Sequence, residues 1–426
     1  MSQTTSSCGV DRRRFLKASV ATAGAIAMPM FVPATVFGAN ERIVTGHIGV
    51  GGQGRGNLGR FIKNAGAVCD VDQNHLAKAA KMVTDKGGKC KTFTDYRELL
   101  DQPDIDAVVI STPDHWHALP TIHACQAGKD VYCEKPLSLT IGEGRAMVEA
   151  ARAHSRVVQT GSQQRSADNF RTACELVRSG HIGKLKTVLV GIPGPNHPGE
   201  PVPNSEPPAE LDYEFWLGPA KYHPYNKKRV HYNFRFFRDY SGGQMTNWGA
   251  HHIDIAQWGM GTDDTGPIEI TGEGTYHPQG WHEVTETCRI THRYANGVEM
   301  IVGQRQKDIP NGTTFIGSEG KIYVSRGKLS SEPGEIVKNG RNEGDVKLYV
   351  SDNHTQNFLD CIKSREKPIC DVEIGHRSAT ICHLGNLAVQ LGRKLQWDPE
   401  AEQFLNDEQA NGELIRAYRS PWSLES

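Results

Sequence analysis

No charge of one sign dominates this chain: 48 Lys and Arg stand against 49 Asp and Glu, a formal net charge of −1. A dedicated nucleic-acid binder carries a basic excess or a basic stripe, so that class is excluded. Cysteine is scarce, ten in 426 residues with no two spaced C-x-x-C, which removes a disulfide-stapled scaffold. Long internal repeats and low-complexity tracts are missing as well. Adding the 45 glycines to the 37 % apolar residues gives about 48 %, inside the globular range of about 45–50 %. Disorder, collagen-like repeats and a polytopic membrane protein are therefore poor readings. At roughly 100–200 residues per domain, the length predicts two domains, each with its own core.

The first 39 residues are set apart. Arg12-Arg13-Arg14-Phe15-Leu16-Lys17 is a basic cluster, followed by twenty uncharged residues from Ala18 to Phe37. That run is long enough to span a bilayer, but Ala, Thr, Ser and Gly dominate it and Pro29 and Pro33 interrupt it. An export signal, later removed, is the better reading, and a retained membrane anchor the other. The paired arginines resemble the bacterial twin-arginine signal, departing from it in starting with Asp11 rather than Ser or Thr. Its machinery moves proteins already folded. The expectation is a periplasmic protein, cut after Gly38 with Val36 at −3, or tethered if the signal is kept. Folding before export takes place where thiols are reduced, so most of Cys69, Cys90, Cys125, Cys133, Cys174, Cys288, Cys361, Cys370 and Cys382 are expected as buried free thiols.

Beyond residue 40, strands and helices alternate. Strands are predicted at Ile43–Val50, Ala67–Val71, Asp106–Ser111 and Asp130–Cys133. Helices are predicted at Arg55–Lys63, Asn74–Asp85, Trp116–Ala127 and Ile141–His154. Such alternation implies right-handed βαβ units on a parallel sheet, with ligands at the carboxyl ends of the strands. Gly49, Gly51 and Gly54 fit G-x-G-x-x-G between strand and helix, where a Cβ would block the tight turn and the approach of a pyrophosphate. Asp70 follows Gly49 by 21 residues, placed to bind adenosine ribose hydroxyls and to repel a 2′-phosphate. No Arg or Lys immediately follows it, which favours NAD over NADP, although Arg55 is positioned to reach a phosphate. Two further turns, Thr112-Pro113-Asp114-His115-Trp116-His117 and Glu134-Lys135-Pro136, carry polar groups toward the nicotinamide end. A lysine beside oxidised nicotinamide feels a like charge, which lowers its pKa and suits it to proton transfer.

Together these pieces resemble the glucose–fructose oxidoreductase / inositol dehydrogenase / MocA (Gfo/Idh/MocA) family of sugar-related dehydrogenases. The matching segments are Ile48 to Gly54 (with Gly52 and Gln53), Cys69 to Asp72, Ser111 to His117, and Ala127 to Pro136. Looser matches lie at Tyr240-Ser241-Gly242-Gly243 and from Asn247 to Asp254. The resemblance implies an α/β chain: a Rossmann parallel-sheet domain at 40–160, and an α+β domain at 161–426 with a large, mostly antiparallel sheet. One face of that sheet would cover the active site and the other often builds homo-oligomers. It also implies a cofactor cleft formed by Gly49, Gly51, Gly52, Gln53, Gly54, Arg55, Asp70, Thr112, Pro113, His115, His117, Glu134 and Lys135. Lys135 and His251 would act at the reacting hydroxyl. In many members an acid precedes the histidine by four residues; here Asn247 stands there and cannot stabilise an imidazolium by charge. Asp254, three residues after His251, either reaches the same face, as a candidate substrate contact, or packs inside.

Pro193 to Pro224 is proline-rich (Pro193, Pro195, Pro198, Pro201, Pro203, Pro207, Pro208), which predicts a long ordered loop. It either latches onto a neighbouring subunit or serves as a substrate lid leading to aromatic and basic residues, among which Arg235 and Tyr240 are candidate substrate contacts. His251 and His252 are adjacent on a helix and diverge, so no metal site is expected there. Strands are predicted at Glu269–Thr275, Thr285–His292, Val298–Gln304 and Lys321–Val324, then helices at Asn353–Ser364 and Val372–Leu391. The leading expectation is an NAD-dependent oxidoreductase of a sugar, polyol or glycoside. Because free NAD is scarce outside the cytoplasm, the nicotinamide should be tightly held and recycled by a second substrate. The alternative is a redox-neutral glycoside hydrolase or lyase working through a transient keto-sugar. A third class, a non-catalytic sugar-binding protein, is disfavoured by Lys135.

Overall fold

Short apolar runs closed by glycine or polar turns build the first sheet. The computed structural model describes residues 42–195 and 199–424; the arginine-rich signal, its cleavage site and Pro198 lie outside them. Six strands, β1 (Thr45–Ile48), β2 (Ala65–Cys69), β3 (Lys91–Phe93), β4 (Ala107–Ile110), β5 (Asp130–Cys133) and β6 (Val158–Thr160), are all parallel, in the order β3-β2-β1-β4-β5-β6. β1, β4 and β5 are buried along their whole length, as a sheet covered on both faces requires. Connecting helices are α1 (Gly52–Arg60), α2 (Gln73–Thr84), α3 (Ala118–Gln126) and α4 (Ile141–Ala153). Asp72 caps α2 by accepting from the amides of Asn74 and His75, and Thr140 with Glu143 closes a capping box on α4. Strand order reverses between β1 and β4, and a crevice opens at such a switch point.

The second half contributes α5 (Asp168–Arg178), α6 (Gly243–Asn247), α7 (Gly249–Met260), α8 (His354–Ser364) and α9 (Val372–Leu391). Its sheet has nine strands: β7 (Leu185–Ile192), β8 (Glu269–Tyr276), β9 (Thr285–Arg293), β10 (Glu299–Gln304), β11 (Gly312–Gly317), β12 (Lys321–Ser325), β13 (Lys328–Glu332), β14 (Leu395–Asp398) and β15 (Gln403–Phe404). Their order is β13-β12-β11-β7-β10-β9-β8-β14-β15. Only β7 and β10 pair in parallel. A core of Val188, Val190, Ile253, Ile255, Ile290, Met300 and Leu384 joins α7 and α9 to the sheet. α9 also packs against α4 and β6 and so belongs to both halves.

Arg165, 1 % exposed, lies in the 3-10 turn after β6. Its Nε donates to both carboxylate oxygens of Asp254 at 3.0 and 2.9 Å, and its terminal nitrogens donate to Asp263. That ion pair fixes α7 to the end of the first sheet. Asp254 is therefore internal and does not meet substrate, which corrects one sequence expectation. The nine described cysteines are all free, eight of them buried. Among the described residues no helix is long and apolar enough to cross a membrane.

Candidate active site

The carboxyl ends of β1, β2, β4 and β5 open onto one cavity of about 740 Å³. Gly49 has φ +78°, and a Cβ there would lie 2.7 Å from the Thr112 amide nitrogen, so only glycine makes this turn. Gly51 and Gly52 line the cavity; a Cβ on Gly52 would meet no protein atom within 4 Å, and on Gly51 only the His75 ring. Side chains at either position would therefore occupy cavity space. At Gly54 a Cβ would fall 1.9 Å from the Gly49 carbonyl oxygen. α1 starts inside the motif, three residues before the expected Arg55, and has no side-chain cap and no acid in its first turn. Its first amides are left for an anion, as a diphosphate needs.

Asp70 stands just beyond β2, and its carboxylate accepts from the Val50 amide at 2.7 Å and the Asp72 amide at 2.9 Å. His75 lies 3.7 Å away, and the Asp70 carboxylate beside it raises its pKa. Asp72, His75 and His231 bring one ligand-type atom each within 4.8 Å of one another at this end. Arg55 donates to the Val50 carbonyl at 2.9 Å and does not line the cavity. Gln53 and Asn57 both donate to Glu134 at 2.9 Å, and Asn57 also reaches Ser111, so β4, β5 and α1 are tied beneath the cleft.

At the far end Lys135 Nζ donates to Asn247 Oδ1 at 2.9 Å and to the Asn247 carbonyl at 3.3 Å. Burial lowers the Lys135 pKa, with Arg235 and Arg326 adding to it, and the nearby charges of Glu134 and Asp114 offset this only in part. Asn247 thus serves the lysine rather than the histidine. His251, 6 % exposed, lines the cavity with Nδ1 sealed from solvent and unpaired. Burial, then Lys135, Arg326 and His252, hold its pKa well below the usual value, so the ring is neutral. His117 is the opposite case. Its Nδ1 lies 2.7 Å from the Pro136 carbonyl and its Nε2 3.0 Å from the Thr112 carbonyl; two carbonyl acceptors need two N–H donors, hence an imidazolium. Burial opposes that charge, but Cys133, Asp114 and the Pro136 carbonyl push the pKa up to about 10.

Thr112, Pro113, Glu134 and Arg235 line the cavity as expected from the sequence. His115 and Tyr240 do not. His115 is buried with Nε2 3.0 Å from the Trp216 carbonyl, and its pKa falls to about 3 through burial. Tyr240, fully buried, stacks its ring edges against His115 and Trp216 at 5.1 and 5.0 Å, so it is core and not a sugar platform. None of the described residues from Pro193 to Pro208 lines the cavity, whereas Phe215 and Trp216 of the same loop, and Tyr232 and Phe234 after it, do. Sequence reasoning missed Asn57, His75, Gln163, Trp248 and Arg326. Trp248 adjoins a motif and was findable; Arg326 lies in the β12–β13 turn, with no local signal.

A glycine turn opposite an acid at β2, with a lysine at β5 facing a second sheet, defines a dinucleotide-dependent oxidoreductase. Residues 43–162 match the oxidoreductase family's NAD-binding Rossmann fold, and 197–424 match its C-terminal alpha/beta domain. The chain belongs to the Gfo/Idh/MocA oxidoreductase family, and NAD is the cofactor its cleft is built for. A myo-inositol 2-dehydrogenase of Thermotoga maritima is 31 % identical over 358 residues, covering 81 % of this chain and 92 % of that one. A glycosyl hydrolase family 109 protein of Shewanella sp. (strain ANA-3) is 32 % identical over 203 residues, 42 % of this chain and 44 % of its own length. In fold, the chain is similar to the WlbA dehydrogenase of Bordetella pertussis, solved with NADH and UDP-GlcNAcA: TM-score 0.63, 17 % identity, 84 % of this chain and 99 % of that one.

Proposed function

We propose that this protein oxidises a CH–OH carbon of a sugar, polyol or glycoside, using an NAD molecule that it retains between turnovers. The observation that carries this reading is Lys135 Nζ, held by the Asn247 amide inside the cavity that His251 also lines. When bound, NAD supplies the hydride acceptor at its nicotinamide. Asp70, Gly49, Gly51, Gly52 and the first turn of α1 would hold its adenosine and diphosphate. Lys135 takes the proton of the substrate hydroxyl: its lowered pKa puts more of it in the neutral, basic form than an ordinary lysine has. His251, kept neutral, offers the same hydroxyl a hydrogen bond without carrying charge.

With this reading we propose export in the folded state through the twin-arginine route, by which a dinucleotide trapped in the cytoplasm would travel with the protein. Denaturing the purified protein and assaying the supernatant should release close to one NAD(H) per chain. Lys135→Ala should lower kcat about 10²–10⁴-fold with an unchanged circular dichroism spectrum; near-normal rates would remove Lys135 from its role.

The glycosyl hydrolase relative favours a second reading, in which the hydroxyl is oxidised, the adjacent C–H is acidified, the aglycone leaves and the ketone is reduced again. Aglycone release without an added acceptor would select it. Net hydride transfer to a separate acceptor would select the oxidoreductase.

A further inference from the structure

Three basic side chains reach the hydride end of the cavity, and none of them forms an ion pair with a carboxylate of the described residues. Lys135 is held by the neutral Asn247. Arg235 donates Nη1 to the Tyr232 carbonyl at 2.6 Å and lies over the Tyr232 ring at 3.8 Å, while its Nε is buried with no partner. Arg326 comes from the β12–β13 turn; its Nε donates to Gln164 at 3.1 Å and its guanidinium lies 4.7 Å over the Trp248 ring. Those two contacts hold the exposed Arg326 at the cavity wall, and among the described residues its terminal nitrogens have no acceptor.

Several other arginines, part-buried or exposed, pair with acids. Arg145 bridges Glu373 and Glu402, Arg365 takes Asp130, and Arg416 takes Glu143. The two acids near these side chains act on Lys135 and Arg235 through space but form no ion pair with them, and neither acts on Arg326. Asp114 is buried and accepts from Ser241 Oγ at 2.6 Å. Glu134 accepts from Gln53 and Asn57 on the glycine-loop side. The dinucleotide does not supply the missing anion for Arg326 either: its diphosphate belongs at the glycine turn and α1, whereas Arg326 stands with Trp248 and His251 on the second sheet's side of the cavity.

We infer that the substrate is an anionic carbohydrate, carrying a carboxylate or phosphate whose oxygens are bound by the terminal nitrogens of Arg326, with Arg235 adding positive charge from beside Tyr232. This rests on the oxidoreductase reading above and names its substrate class. Guanidinium suits the task, since its fork matches two oxygens of one anionic group, and an aromatic face beneath it restricts its motion.

The holoenzyme should be given glucose, glucuronate, galactose, galacturonate and glucose 6-phosphate. With an added electron acceptor to reoxidise the retained NADH, kcat/KM is followed by acceptor reduction, and binding by calorimetry at two salt concentrations. A hydrogen-bonded charge is worth about 10- to 100-fold, so the anionic member of each pair should be preferred by that factor and should bind more weakly at high salt. The two anion arms separate carboxylate from phosphate. Arg326→Gln should collapse the anionic-to-neutral ratio through KM, and Arg326→Lys should restore part of it. Neutral sugars turned over as well as or better than their acids would overturn the inference alone, as would an unchanged ratio in Arg326→Gln. No binding and no turnover of any of the five by NAD-loaded protein would overturn the oxidoreductase reading and this inference with it.

Discussion

Asn247 gives its side-chain oxygen to Lys135 at 2.9 Å and its side-chain nitrogen to Gln244 at 3.0 Å. A carboxylate in the same place would hold the ammonium by charge and raise its pKa, about 1–3 units for a close opposite charge. Oxidation needs the neutral amine, so activity rises with pH through the lysine pKa. Asn247→Asp should therefore move that rising limb to higher pH by about 1–3 units, seen in a kcat/KM–pH profile; a limb that stays in place would break the link between the amide and the lysine. Asp254 carries a different prediction. Its removal leaves Arg165 buried with Asp263 alone, so Asp254→Ala should cost about 3 kcal/mol in chemical denaturation. Residue types suggested Asp254, Tyr240 and His115 as site groups, and all three turned inward. His251 and Asp254 lie one turn apart along α7 and about 60° apart around its axis, too close for sequence alone to say which faces the cleft.

Among elements, the turn from β1 into α1 was readable because its geometry is dictated locally. Gly49 needs a positive φ and Gly54 must clear a backbone oxygen, so the spacing is itself the fold. Gly54→Ala forces α1 away from the Gly49 carbonyl. It should weaken NADH binding in a fluorescence titration by at least tenfold and cost about 1–3 kcal/mol in stability. β3 escaped notice because Lys91-Thr92-Phe93 is a short, largely exposed edge strand with no hydrophobic run. β11 escaped because glycines open and close it; its place beside β7 comes from partners more than a hundred residues away. The predicted β8, β9, β10 and β12 segments, by contrast, alternate enough to be seen, and each is a strand within a residue or so of its expected ends.

Across the whole molecule, the two sheets are joined by late parts of the chain. Val372 and Ala379 of α9 belong to the core of the first sheet. The tail returns further: Arg416 donates to Glu143 at 2.8 Å and to the His115 carbonyl at 2.8 Å, Tyr418 donates to Glu143, and Trp422 packs edge-on against Trp116 at 4.8 Å. Trp422→Ala should cost about 2 kcal/mol, less than a fully enclosed tryptophan would, and the loss should appear in the unfolding of the nucleotide-binding half. Nothing in the pattern of residues 412–424 foretold this, because single aromatic and basic residues in a loop carry no periodicity. The arrangement has a consequence for biogenesis. A ribosome that has already delivered all six parallel strands still holds back Trp248, His251 and Arg326, then α9 and the tail. The hydride end of the cavity is therefore closed late, and a nascent chain stalled before residue 247 would carry the glycine turn and Asp70 with Lys135 lacking its Asn247 partner.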